Sequence, residues 1–420
     1  MSKITALKAR EVLDARGTPT IEVTIWLDNN MAVSSSVPCS THAGKYEAVV
    51  LRDGDGNRAN GLGVSKPVQI LNKTIAPKII GLDPTKQREI DQTLVNLDGT
   101  ANKSNLGSNT LLAVSQAALK AGAASSNMPL YYYLQQKYRF VEKLFMPHCI
   151  YGLINGGEYG SGGLDLQEYQ VIPASHMDFK TSLFMVVTLQ KKIEELLTSS
   201  EAQAATGSIG GFTPNLTNNM EPFNLIIQAI KNTPYALTRD IFLGLDANAT
   251  HFYKNKKYIL KDRQQPYSSA ELKEFYKDLK SAYKLTYIED PFGIDDFNGW
   301  QLLYRDIAEV TRIAGDNLIS TNKSRLQLAI KEKLCNTVVI KPSQIGTISE
   351  TVEIIKIARD AKWQIVIAHR GSDTNDDLIA DLAVGVGAEF AKFGPPNRGE
   401  RVAKYNRLLK IFEQLSISHA

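Results

Sequence analysis

Three acids and one lysine in this chain each stand where a short apolar run stops. Ile241-Phe-Leu-Gly-Leu-Asp246 ends on Asp246, and Leu285-Thr-Tyr-Ile-Glu289 ends on Glu289. Thr311-Arg-Ile-Ala-Gly-Asp316 ends on Asp316, and the β-branched run Thr337-Val-Val-Ile340 stops at Lys341. Three carboxylates converging on one point repel each other unless a hard cation with oxygen ligands holds them, and Mg²⁺ is the usual candidate. A lysine beside such a site can have its pKa lowered by burial and by the cation, which makes it a base. A base next to Mg²⁺ suits removal of a proton from the carbon beside a carboxylate, because the metal stabilises the enediolate that forms. Any one of these acids alone reads equally well as an N-cap for the helix after it. Four charged strand ends in succession favour a site.

The elements that must position these residues follow from the same runs. A continuous apolar run is the pattern of a buried parallel strand. The step from Asp316 to Lys341 is close to one βα unit of a barrel, about 30 residues, and in such barrels the C-terminal strand ends form the active face. Beyond a link at Leu134 to Pro147, strands and helices alternate to the end of the chain. Helices are expected near Phe179–Leu197, Ser269–Tyr283, Lys323–Lys331, Ile348–Ala361 and Ile379–Gly385. The expected fold class is α/β: a (βα)8-like barrel over residues 136–420, preceded by an α+β capping domain over residues 1–135. In that first part Ile21, Val23, Ile25 and Leu27 alternate with polar neighbours, as a half-buried strand does. Met31 to Val37 returns as a second strand of a β-meander, and Pro38 to Gly44 is a loop. From Val68 the pattern turns helical, broken at Gly81 and Pro84. Ser108 can cap an alanine-rich helix from Asn109 to Ser125, whose stripe of alanines is packing surface.

Composition narrows the function classes. The net charge of +4 comes with no long Lys/Arg block, and Lys254-Asn-Lys-Lys257 reads as a solvated turn, so no nucleic-acid partner is expected. Cys39, Cys149 and Cys335 are far apart with no CxxC, which argues for a reducing compartment and no disulfide framework. The N-terminus lacks the apolar core of a signal peptide, and the apolar stretches are too short to span a bilayer. A soluble, cytoplasmic protein with no membrane partner is expected. No GxGxxG follows a strand, and Walker and HExxH motifs are absent. Asp373-Thr-Asn-Asp-Asp377 has calcium-like spacing but lacks the glycine and distal glutamate of a calcium loop. It reads as a helix entry with Asp376 or Asp377 as cap. Tyr159-Gly-Ser-Gly-Gly163 does not make a GxSxG elbow.

Longer motifs carry a resemblance. Ala9-Arg-Glu-Val-Leu-Asp-Ala-Arg-Gly17, Leu51-Arg-Asp-Gly-Asp55 and Asn102-Lys-Ser-Asn-Leu-Gly-Ser-Asn109 lie in the first part. Asp165-Leu-Gln-Glu168, Ile288-Glu-Asp290, Gln344-Ile-Gly-Thr347, His369-Arg370 and Glu400-Arg-Val-Ala-Lys-Tyr-Asn406 lie in the second. Along essentially its whole length the chain resembles the enolases, glycolytic 2-phosphoglycerate dehydratases that use Mg²⁺. The resemblance implies that Asp246, Glu289 and Asp316 are ligands of the tightly held Mg²⁺ and that Lys341 is the base at C2. It implies that Lys392 neutralises the substrate carboxylate and that Arg370, with His369 beside it, clamps the phosphate. It also implies that Gln167 and Glu168 contact substrate near the leaving hydroxyl, with Glu168 counted as catalytic, and that the protein is a homodimer or higher homo-oligomer.

The departures are selective. The family serine that helps bind a second Mg²⁺ is His42 here, and the family histidine of the active site is Tyr159. The family Asp-Glu pair is Ser208-Ile209, and that glutamate is the usual proton donor to the departing hydroxyl. The serine after His-Arg, a phosphate contact, is Gly371. The first metal site and the base are kept, while the acid and part of the phosphate pocket are changed. Three readings stand: a working enolase with Glu168 or Tyr159 covering for the acid, a diverged enzyme acting on another carboxylate through an enediolate, or a scaffold kept for binding.

Overall fold

The computed structural model describes residues 2–41, 43–199 and 205–417. The chain opens with three antiparallel strands in the order β1 (Ile4–Leu13), β2 (Pro19–Leu27) and β3 (Ala32–Ser36). A helical run follows: α1 (Ser65–Ile70), a wider turn at Leu71–Ile75, α2 (Ala76–Ile79), α3 (Gln87–Asp98), α4 (Ser108–Ser125) and α5 (Leu130–Tyr138). The inward residues Ile21, Val23 and Ile25 of β2 are fully buried against α4 and the turn below it, as their alternation demands. Ser108 is not the cap of α4. Gly107, with φ +89°, holds the N-cap position without a side-chain bond, and Ser108 Oγ is buried with no partner among the described residues. Helix α5 crosses position 135, and its Tyr131, Tyr133 and Leu134 pack with the apolar residues of the barrel.

Eight strands close the barrel. In chain order the next elements are β4 (His148–Asn155), β5 (Glu168–Pro173), α6 (Phe179–Ser199), α7 (Glu221–Lys231) and β6 (Ile241–Asp246). A small hairpin, β7 (Tyr253–Lys254) and β8 (Lys257–Tyr258), precedes α8 (Ser269–Tyr283) and β9 (Leu285–Glu289). The turn expected at Lys254–Lys257 is the tip of that hairpin, with Asn255 and Lys256 at positive φ. Then come α9 (Phe297–Ile307), β10 (Arg312–Gly315), α10 (Lys323–Lys331), β11 (Thr337–Ile340), α11 (Ile348–Asp360), β12 (Gln364–Ala368), α12 (Leu378–Gly385), β13 (Phe390–Lys392) and α13 (Gly399–Ile417). The ring runs β10-β11-β12-β13-β4-β5-β6-β9. Strict alternation fails once. No helix of useful length separates β4 from β5, so β5 returns antiparallel to both β4 and β6. Ile150, Ile172, Tyr287, Ala314, Val339, Val366 and Ala368 fill the barrel interior, so it is a packed core and not a pore. Cys39, Cys149 and Cys335 are free and buried. No helix among the described residues is long and apolar enough to cross a membrane.

Asp376 ties the two layers together. It accepts from Lys120 Nζ on α4 at 2.8 Å, from Ser35 Oγ at 2.8 Å and from Ser36 N at 3.0 Å, both on β3. It also accepts from Leu378 N at 3.0 Å, so it caps the entry to α12 while Asp377 holds the N-cap position without a side-chain bond. Burial alone raises the Asp376 pKa; Lys120 and the hydrogen bonds outweigh that and hold the carboxyl below its ordinary value. Its contribution to stability is therefore complete above about pH 4 and is lost as pH falls through the lower folded value. Asp376→Ala should lower stability by about 3 kcal/mol, because Lys120 is left half-enclosed and unpaired. A urea midpoint equal to that of the parent protein would remove this pair from the joint between the layers.

Candidate active site

The rim of the barrel collects the charged strand ends. Asp246, Glu289 and Lys392 are the last residues of β6, β9 and β13. Asp316 follows β10, Lys341 follows β11, and His369 and Arg370 follow β12. Gln167 and Glu168 reach the same rim from the other direction. Because β5 is antiparallel, its first residue, Glu168, is in register with Asp246 on one side and Asn155 on the other.

Lys392 Nζ stands at the centre of the acids. It lies 2.8 Å from Asp246 Oδ2, 3.0 Å from both oxygens of Glu289 and 3.2 Å from Glu168 Oε2. Tyr287 donates its hydroxyl to Glu289 at 2.7 Å, and Gln170 donates to Glu168 at 3.2 Å. Lys341 Nζ donates to Asp316 Oδ2. Gln167 donates to Asp246 at 3.3 Å and accepts from Asn248. Arg370 is paired with Glu47 at 2.9 Å. Tyr159 sits on the short turn Gly157–Tyr159 just after β4. His369 is buried with its Nδ1 facing Arg401 Nη1, so its other ring nitrogen carries the proton. His42 lies outside the described residues.

Electrostatics show what is missing from this set. Glu168, Asp246, Glu289 and Asp316 are all buried and, among the described residues, are paired with two ammonium groups, those of Lys341 and Lys392, while Arg370 also attracts Asp316. Burial, and then the like charge of Asp246, push Glu289 well above the usual carboxylate range; burial also raises Asp246. Asp316 goes the other way, because the attraction of Lys341 outweighs its burial. Burial and the neighbouring cations hold His369 well below its ordinary pKa, so it is a neutral imidazole. At Lys341 burial lowers the pKa, but Asp316 outweighs it and the net direction is up.

Hard carboxylate oxygens crowded at one rim, which raise one another's pKa, match a divalent cation in ligand type, so Asp246, Glu289 and Asp316 fit Mg²⁺ chemically. As the side chains stand, no group of three or more His, Cys, Asp or Glu among the described residues is gathered closely enough to hold an ion. The Lys392 ammonium takes the central position between Asp246 and Glu289 instead.

A cavity of about 510 Å³ opens above the rim, lined by Arg16, Glu47, Tyr159, Asp316, Lys341 and Arg370 among others. Below it is a chamber of about 40 Å³ whose wall includes Tyr159, Glu168, Ile209, Lys341, His369 and Lys392. All ten residues singled out from the sequence therefore lie at this one rim. Three neighbours were not singled out. Glu47 neutralises Arg370, and Arg16 faces the cavity from the loop after β1. Asp290 accepts from the backbone N–H groups of Asp316 and Asn317 at 3.1 and 2.7 Å, which fixes the loop that carries Asp316. Its place directly after Glu289 was the available signal.

Comparison with known proteins agrees along the length of the chain. Residues 4–134 match the family profile of the enolase N-terminal domain, and residues 143–420 match that of the enolase C-terminal TIM barrel domain. The enolase of Ehrlichia canis (strain Jake) is 41% identical over 420 residues, covering 100% of this chain and 98% of the relative. The enolases of Ehrlichia ruminantium (strain Welgevonden) and Ehrlichia chaffeensis (strain Arkansas) are each 39% identical, covering 99% of this chain and 97% of each relative. The closed barrel, its charged rim and these matches lead to one conclusion: the chain belongs to the enolase family.

Proposed function

We propose that the protein is a cytoplasmic, Mg²⁺-dependent carbon–oxygen lyase that interconverts 2-phosphoglycerate and phosphoenolpyruvate, the enolase step of glycolysis. The observation that carries this reading is the excess of buried carboxylate over ammonium at the rim, with Lys341 beside it. The same reading keeps a capping domain of residues 1–135 over a barrel of residues 136–420, and a homodimer or higher homo-oligomer as the assembly.

Asp246, Glu289 and Asp316 would hold the cation. When bound, Mg²⁺ supplies the charge that stabilises the enediolate. Lys341 takes the C2 proton in its neutral form, so its bond to Asp316 must break before proton transfer. Lys392 balances the substrate carboxylate. Arg370 turns from Glu47 to grip the phosphate in a bidentate fork. Gln167, Glu168, Tyr159 and His369 surround the leaving hydroxyl, His369 as a neutral donor. Ile209, buried in the chamber wall, cannot give that hydroxyl a proton. That observation supports a second reading, an enzyme that keeps the enediolate half of the reaction and takes another carboxylate substrate.

Three outcomes test these assignments. The purified protein with 2-phosphoglycerate and Mg²⁺ should exchange the C2 proton with D₂O by NMR, and Lys341→Ala should slow that exchange by about 10²-fold or more. Exchange at the parent rate would reassign the base. Glu289→Gln should weaken Mg²⁺ binding at least about tenfold in calorimetric titration; an unchanged isotherm would take Glu289 out of the site. Ile209→Glu should raise phosphoenolpyruvate formation, followed by ultraviolet absorbance, by about tenfold or more while exchange stays the same. No gain would mean that another group already serves as the acid.

A further inference from the structure

Away from the rim, the first turns of α3 and α11 face each other across a crevice of about 600 Å³. Lys137 and Tyr138 of α5 complete its wall. No residue of that wall lines either cavity at the rim, so the crevice is separate from the site proposed for the lyase. Its volume is that of a small-molecule site, roughly 300–1,000 Å³.

Most of its acids are committed. Asp91 is buried and accepts from Ser349 N at 2.8 Å and from Gln87 Nε2 at 3.1 Å. Glu350 pairs with Lys103 at 2.8 Å, and Glu353 pairs with Lys323 at 2.6 Å. Only Glu89 is left over. The cations are not committed. Lys86, Arg88, Lys137 and Lys356 line the crevice, and none forms an ion pair among the described residues. Exposed lysines alone would mean little. Lys137 is different, because it is half-buried. Its ammonium donates to Thr85 O at 2.6 Å and to the Tyr133 hydroxyl at 3.3 Å. Burial outweighs the attraction of Asp83 and Asp91 and lowers its pKa. The same point is the start of α3, where Lys86 holds the N-cap position without a side-chain bond. The positive end of a helix of 12 residues is therefore left open beside the ammonium.

Gln87 adds an independent signal. It lies on the crevice wall and is 1% exposed. Its Nε2 serves Asp91 and the Ser115 carbonyl, while its Oε1 is buried with no partner among the described residues. An acceptor in that state calls for an O–H or N–H donor.

We propose that the crevice is a second ligand site, for a small phosphate ester: the phosphate rests against Lys137, Arg88 and the open first turn of α3, and a hydroxyl of the same molecule donates to Gln87 Oε1. The helix end and the cations suit a dianion. The orphan acceptor asks for a donor as well, which sulfate lacks and a phosphorylated polyol carries.

Hydrogen exchange of the full chain, read by mass spectrometry, tests the site with two probes, sulfate and glycerol 3-phosphate. The ester should protect residues 85–92 and 349–356, and sulfate should need about tenfold more to do the same. Arg88→Gln and Lys137→Met should each raise the concentration of ester needed about tenfold, with protection of residues 367–373 at the rim unchanged. Gln87→Met should bring the ester down to the level of sulfate. Arg88 is exposed, so its variant keeps the test readable where a change at Lys137 or Gln87 lowers the melting temperature. Protection confined to the rim, or protection of residues 85–92 that is the same in the parent and in Arg88→Gln, would overturn the site. Equal protection by sulfate and ester in the parent would overturn the ester as its ligand.

Discussion

Four carboxylates share two ammonium groups in a place that water barely reaches, and the rest of the molecule is arranged around that imbalance. Burying like charges is costly, and partial pairing does not remove the cost. The barrel bears it because each acid is fixed by something else. Tyr287 holds Glu289, Gln170 holds Glu168, and Asp290 holds the backbone on which Asp316 rides. Glu168 joins the group only because β5 runs backwards. An all-parallel barrel would put the start of that strand at the opposite end. The antiparallel strand is thus the structural condition for the fourth acid.

The capping layer brings one charge of each sign to the rim. Glu47 pairs with Arg370, and Arg16 leans over Gly371. The ion pair of Lys120 with Asp376 fixes how this layer meets the barrel. The cavity therefore has a side formed by Arg16 and the Arg370–Glu47 pair, and a floor of carboxylates bridged by lysines.

How much of this was legible in the chain depended on whether local pattern or distant contact decided the feature. Buried strands β6, β9 and β11 show continuous apolar runs, and the charged residue that ends each one marks the rim without ambiguity. Strand β2 announces itself by alternation. Strand β1 does not, because a bulge between Ile4 and Ala6 shifts its register and leaves Ile4, Leu7 and Ala9 as the buried set, which breaks the period of two. Glu168 begins a strand instead of ending one, so it came from the resemblance and not from the strand-end rule. Ser108 looked like a cap, but Gly107 could take the turn at positive φ and the serine was buried instead. Arg16 lies in a quoted motif, yet its neighbours Tyr159, Ser208 and Gly371 come from three distant loops that no local pattern connects.

The ring of strands also explains how one half of the site can change while the other is kept. Lys341 follows β11, and Glu168 begins β5, four places away in a ring of eight. The proposed base and the groups around the leaving hydroxyl therefore stand on opposite sides of the barrel, with β13 and its Lys392 midway between them. Tyr159 follows β4, and Ile209 lies against Gly394 after β13; both line the chamber that Lys341 and Asp316 also line. Catalytic groups that touch one another change together or fail together. In this chain Tyr159 after β4, Ile209 and Gly371 after β12 nonetheless share one small chamber with Lys341 and Asp316, so the two halves of the site meet across it.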